Sequence, residues 1–262
     1  MPKIQMQKPL HPFKYRMLAP FSERYKTKAK IAASAMPLQT IIPHIVMSDD
    51  RKLLFVQNSK AGCTSASHLI YEYSRGNRYE GAIHGGDAGL HRGLSYFDDA
   101  LIALNSPETY VFSIVRDPLK RAVSCFKNFF IDKKNGHYPK YSRAIRKLGF
   151  VDGGPMEDNF DSFLRLIELS FTQNLILTDP HFRLQTLNLG YPDILYDRIC
   201  KLENYNADMQ AVFKDIGFMF PRDSGALGKR ENASRPSQFS PSAMQVKKIE
   251  ALYAKDYEAF GY

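Results

Sequence analysis

A lysine, a glycine and two hydroxyl residues stand together in the stretch Gln57-Asn58-Ser59-Lys60-Ala61-Gly62-Cys63-Thr64-Ser65, directly after the apolar run Leu53-Leu54-Phe55-Val56. A loop that leaves the carboxyl end of a buried strand and enters a helix aims several backbone N–H groups at one point, and the helix dipole adds positive potential there. Gly62 permits close backbone approach, Lys60 supplies a mobile cation, and Thr64 and Ser65 offer hydroxyls. This is anion-gripping chemistry. The pattern GxxxxGK[ST] is absent and the lysine precedes the glycine, so the loop is not a Walker A motif and gives no reason to invoke magnesium. A second site of the same kind follows the β-branched run Tyr110–Val115. Arg116 stands where a guanidinium can hold a phosphate with two parallel hydrogen bonds. Counted at 100° per residue, Ser124 falls away from the stripe of Leu119, Ala122, Val123, Phe126 and Phe130, on the side shared with Asp117 and Arg121. Read singly, the first loop is also ordinary punctuation and the second an ordinary helix cap with an exposed serine. Two such sites after two strands point to a ligand with two separated anionic groups.

The elements that must position these residues follow from periodicity. Lys52–Val56, Tyr110–Val115 and Ile199–Leu202 predict strands. Apolar spacing at Ala66, Leu69, Ile70 and Tyr73 predicts a helix after the lysine loop. Asp117 suits an N-cap and Pro118 the first helical position. Further helices are predicted over 96–105, 158–169 and 205–216, and a closing helix begins at Ser240-Pro241. Residues 77–95, rich in glycine, and 132–156 read as irregular. Strands alternating with helices predict an α/β fold with a mostly parallel central sheet flanked by helices.

The chain has 262 residues, 44% hydrophobic and 24% charged, enough for one well-packed core. Its net charge is +9, but residues 1–40 hold eight Lys or Arg against the single acid Glu23 and carry +7 of it. A uniformly basic nucleic-acid binder is not built this way. We expect a loosely packed basic arm over 1–48 and a single domain over 49–262. Cys63, Cys125 and Cys200 are widely spaced and form no CxxC pair, which predicts neither a zinc site nor a disulfide framework and suggests a reducing compartment. No stretch approaches the roughly 20 apolar residues of a membrane span, and the start of the chain lacks the apolar core of a signal peptide. The expectation is a cytoplasmic protein.

Three segments together resemble one family. FVQNSKAGCTS resembles the 5′-phosphosulfate loop of the carbohydrate sulfotransferases. FSIVRDPLKRAVSCFKNFF resembles their 3′-phosphate motif, with Arg and Ser eight residues apart. LYAKDYEAFGY resembles the C-terminal signature of the Golgi-type members. The matches span about 53–262, in the family's order, and imply a P-loop-like three-layer α/β fold. The resemblance also implies transfer of the sulfuryl group of 3′-phosphoadenosine 5′-phosphosulfate (PAPS) to a carbohydrate hydroxyl, without a metal.

Carried over by motif, Lys60, Ala61, Gly62, Cys63, Thr64 and Ser65 surround the 5′-phosphosulfate, and Arg116 and Ser124 hold the 3′-phosphate. Lys60 stabilises the charge that grows on the bridging oxygen. The acceptor needs a base. His91, in GLHRGL, stands in a context resembling the histidine base of glucosaminyl 6-O-sulfotransferases; His84 is second, and Asp87 is a base or an orienting group. His68 reads as a packing residue, and His181, in DPHFRLQ, as a residue of the acceptor cleft. Lys229, Arg230 and Ser234 lie in a basic loop of the kind that covers the nucleotide. The basic run Lys133, Lys134, Lys140, Arg143, Arg146 and Lys147 is a solvated face or a surface for an acidic glycan. Two other readings stay open: a nucleotide kinase of P-loop architecture, and a non-catalytic polyanion- or glycan-binding protein that uses the basic arm.

Overall fold

Among the described residues, five strands form one sheet in the order β3-β1-β2-β4-β5. They are β1 (Ile45–Met47), β2 (Leu53–Val56), β3 (His91–Arg92), β4 (Tyr110–Val115) and β5 (Arg198–Lys201). β2, β4 and β5 run parallel, with Val56 opposite Ser113 and Ile114 opposite Cys200, while β1 is antiparallel to both β2 and β3. The computed structural model describes residues 2, 4–133, 136–219 and 239–262. Its helices are α1 (Pro12–Leu18), α2 (Glu23–Ala33), α3 (Met36–Ile41), α4 (Cys63–Arg75), α5 (Phe97–Leu104), α6 (Pro118–Phe126), α7 (His137–Lys147), α8 (Met156–Asn174), α9 (Gln185–Leu189), α10 (Tyr205–Asp215), α11 (Ala243–Leu252) and α12 (Ala254–Phe260). The α/β class with a mostly parallel, helix-flanked sheet is the one the sequence predicts.

The chain divides into two compact units, Pro9–Val115 with Leu187–Ala233, and Met1–Lys8 with Arg116–Thr186 and Ser234–Tyr262. The sheet belongs to the first. Leu53, Phe55, Phe112, Ile114 and Cys200 share one face and pack with Ala66, Leu69 and Ile70 of α4 and with Met209, Val212 and Phe213 of α10. Phe55 and Phe112 stack at 4.9 Å. The alternate residues Leu54, Val56, Val111 and Val115 are buried as well, so these strands are unbroken apolar runs rather than alternating ones. Ile83, Ala88 and Leu90 anchor the glycine-rich segment to the same core.

The second unit is built on aromatic rings. Phe126 meets Phe160 at 5.2 Å, and Phe130 meets Phe163 at 5.6 Å. α7, within the stretch expected to be irregular, buries only Tyr141, Ala144 and Ile145, too narrow a stripe to stand out among basic neighbours. The closing helix begins later than Ser240-Pro241: Ser242 and Gln245 form a capping box for α11, and α12 follows separately. The boundary at residue 48 has no counterpart in the structure. β1 lies inside the expected arm and pairs on both sides, and Ile31, Ile41 and Ile42 are buried. Basic side chains on α1 and α2 gave that segment its look of an extension.

Candidate active site

The lysine loop turns sharply between β2 and α4. Lys60 and Gly62 both have left-handed backbone, with φ of 69° and 81°. Gly62 is the N-cap of α4, and a Cβ there would come within 2.9 Å of Leu202 Cδ1. Buried Asn58 fixes the loop from behind. Its carbonyl accepts the Ala61 N–H at 3.1 Å and the Cys63 Sγ–H at 2.9 Å. Its side-chain amide donates to the Ile114 carbonyl at 3.1 Å and accepts from Asn188 Nδ2 at 3.0 Å. The loop is thereby tied to the carboxyl end of β4, the strand parallel to β2. The first helical bond runs from Ala66 N–H to Gly62 O, so the N–H groups of Cys63, Thr64 and Ser65 belong to the first turn of α4, where the helix dipole favours an anion. Lys60 is half-buried beside them.

The two histidines expected to compete as base are widely separated. His84 Nε2 lies 3.0 Å from Thr64 Oγ1, against the first turn of α4. Partial burial, then the charges of Arg92 and His68, hold its pKa below the ordinary imidazole value of 6.5. His91 pairs with Met47, which itself pairs with Leu54 near the start of β2. It faces Asp49 at 3.8 Å, and Asp49 in turn holds Arg75, the last residue of α4. His91 therefore sits at the opposite end of that helix from the lysine loop, about 18 Å along its axis. Asp87 is exposed in a short turn at Gly86–Ala88. His68 is buried within α4, in keeping with a packing role.

In the second unit, Arg116 immediately follows β4 and is clamped by its backbone. Gln185 Oε1 accepts the Arg116 N–H at 3.0 Å, and Gln185 Nε2 donates to the Arg116 carbonyl at 2.8 Å. Asp256 in α12 holds Gln185 in turn, accepting the N–H groups of Gln185 at 2.8 Å and Thr186 at 3.0 Å. Asp117 caps α6 as expected, accepting the Lys120 N–H at 2.7 Å. The side of α6 expected to face solvent is buried instead. Ser124 is 9% exposed and Arg121 1%. The Arg121 guanidinium is stable there because it donates to the carbonyls of Arg183 at 2.8 Å and Pro180 at 2.7 Å. Lys229, Arg230 and Ser234 lie outside the described residues. In the basic run, Lys133 and Arg146 pair with Asp152, Lys140 pairs with buried Asp179, and Lys134 lies outside the described residues.

A family model described as "Sulfotransferase family" matches residues 43–262. The chain belongs to that family. Carbohydrate sulfotransferase 9 of Homo sapiens is 26% identical over 246 residues, covering 84% of this chain and 53% of its own. Carbohydrate sulfotransferase 10 is 23% identical over 250 residues in Homo sapiens and 24% over 245 residues in Gallus gallus, covering 85% of this chain and 67% of theirs. The chain thus spans about half to two thirds of these relatives. No solved structure matches it. Among the described residues no helix is long and apolar enough to cross a membrane, and the three cysteines form no disulfide.

Within this chain, the residues that hold the two loops escaped the sequence reading. Asn58, Asn188, Gln185 and Asp256 are polar groups fully or nearly fully buried. Asn58 carried a usable signal, an amide directly after a buried strand. Gln185 and Asp256 are 71 residues apart in sequence and carried none.

Proposed function

We propose that this protein is a PAPS-dependent sulfotransferase acting on a hydroxyl of a carbohydrate. The observation that carries the reading is the turn at Lys60–Gly62, which puts a lysine and the first turn of α4 directly after β2, whose parallel neighbour β4 ends at Val115, one residue before Arg116. These residues offer donors and positive charge and no carboxylate, which fits a phosphosulfate at one loop and a phosphate at Arg116 and Ser124. PAPS supplies a sulfuryl group already bonded to a good leaving phosphate. Lys60 and the N–H groups of Cys63, Thr64 and Ser65 meet the negative charge that collects on the bridging oxygen as the sulfur–oxygen bond breaks. His84, held neutral near pH 7 by its surroundings and touching Thr64, takes the proton from the acceptor hydroxyl as the new oxygen–sulfur bond forms. His91, braced by Asp49 at the far end of α4, serves the glycine-rich segment structurally. The carbohydrate acceptor is supported by the similarity to carbohydrate sulfotransferases 9 and 10 and by the sequence resemblance.

The test is transfer of labelled sulfate from PAPS to a panel of glycans by the purified protein, with and without magnesium. Transfer that needs no magnesium and disappears in Lys60→Ala is expected. Phosphoryl transfer from a nucleoside triphosphate that requires magnesium, or glycan binding without turnover, would replace the reading by the kinase or the binding protein.

A further inference from the structure

Away from the lysine loop, in the second unit, two histidines converge in front of a buried carboxylate. Asp179 is 4% exposed and its oxygens are fully engaged. Oδ2 accepts from Lys140 Nζ and Tyr141 OH, both at 2.7 Å. Oδ1 accepts the backbone N–H of His181 at 3.1 Å and its ring Nδ1 at 2.7 Å. A carboxylate oxygen only accepts, so Nδ1 of His181 carries the proton and the ring's basic lone pair lies on Nε2. This carboxylate–imidazole pair fixes tautomer and ring direction as in metal sites, where an acid orients a ligating histidine from behind. The ring of His137 stacks flat on Phe129, with centroids 4.0 Å apart and planes 8° apart, and meets the His181 ring edge-on at 4.6 Å. One donor atom from each of His137, Asp179 and His181 lies within 4.8 Å of the other two.

We propose that His137 and His181, oriented by Phe129 and Asp179, bind a divalent ion of the zinc or nickel type. Both rings are half-buried, open enough to admit an ion that keeps water as its remaining ligands. The Lys140 ammonium offsets the Asp179 charge, so the site presents imidazole nitrogen without net negative charge. Such a donor set suits zinc, nickel or copper and not magnesium or calcium, which require oxygen ligands. The site does not depend on the sulfotransferase reading.

Tag-free protein titrated with zinc chloride in a calorimeter should take up one equivalent, and excess magnesium should not displace it. His137→Gln and His181→Gln should each weaken uptake by at least about tenfold. In the unaltered protein, zinc should protect both imidazoles from carbethoxylation by diethyl pyrocarbonate, read by peptide mass spectrometry; this arm stands even if a variant misfolds. No stoichiometric uptake, uptake unchanged in the double variant, or equal labelling with and without zinc would each overturn the proposal.

Discussion

The side-chain amide of Gln185 grips both backbone polar groups of Arg116, accepting its N–H at 3.0 Å and donating to its carbonyl at 2.8 Å. A glutamine thus imitates a neighbouring strand at the point where β4 ends, and it sets the direction in which the arginine leaves the sheet. Gln185→Leu removes both bonds and strands two partly buried polar groups, a cost of up to about 1–3 kcal/mol each before relaxation. The expected result is a KM for PAPS raised about tenfold or more, with a smaller change in the acceptor KM. An acceptor KM that rises equally would show a general loss of structure instead.

Lys60 combines a functional charge with a left-handed backbone that costs a non-glycine residue about 1–2 kcal/mol. Lys60→Ala keeps the strain and deletes the charge; Lys60→Gly deletes both. Both variants should lose about 10²- to 10³-fold in kcat, the usual share of one positioned donor at a developing anion. Only Lys60→Gly should melt as high as the unaltered protein or higher. A Lys60→Gly enzyme with full activity would remove the lysine from the chemistry.

The pH profile distinguishes the two histidines. The base acts unprotonated, and His84 has its pKa held below 6.5, so activity should be complete at pH 7 and fall only below about pH 6.5. His84→Ala should flatten that acid limb, lose about 10²-fold in kcat, and leave PAPS affinity intact. His91→Ala should stay within a few-fold of the unaltered rate and keep the limb. The reverse pattern would return the role to His91.

Gly62→Ala should destabilise the fold by about 1–2 kcal/mol, since φ is 81° and the new methyl meets Leu202. It should also weaken binding of adenosine 3′,5′-bisphosphate, because the turn that leads into α4 must shift. Denaturant unfolding with and without that ligand measures both effects.

How much was legible in the sequence depended on how local each feature is. β2, β4, β5 and the α4 and α6 helices were readable because unbroken apolar runs and 3–4 residue spacing encode them directly. β1 and β3 were not, since a three-residue and a two-residue strand leave no periodicity to detect. The separation of the two histidines was not legible either: His84 and His91 are seven residues apart, yet the chain between them runs the length of α4, and only strand register reveals it. Arg121 read as a solvent-facing residue because its charge gave no hint that carbonyls of Pro180 and Arg183 were waiting for it.

The brace behind Arg116 also carries a timing. Asp256 receives Gln185 and Thr186 across some seventy intervening residues, and Tyr253 reaches the Phe182 carbonyl at 2.6 Å over the same span. On the ribosome, the strand and helix around Arg116 are available long before their support exists. Nascent chains halted short of residue 253 should therefore present the arginine without a fixed heading, and competence should arrive abruptly once α12 has emerged.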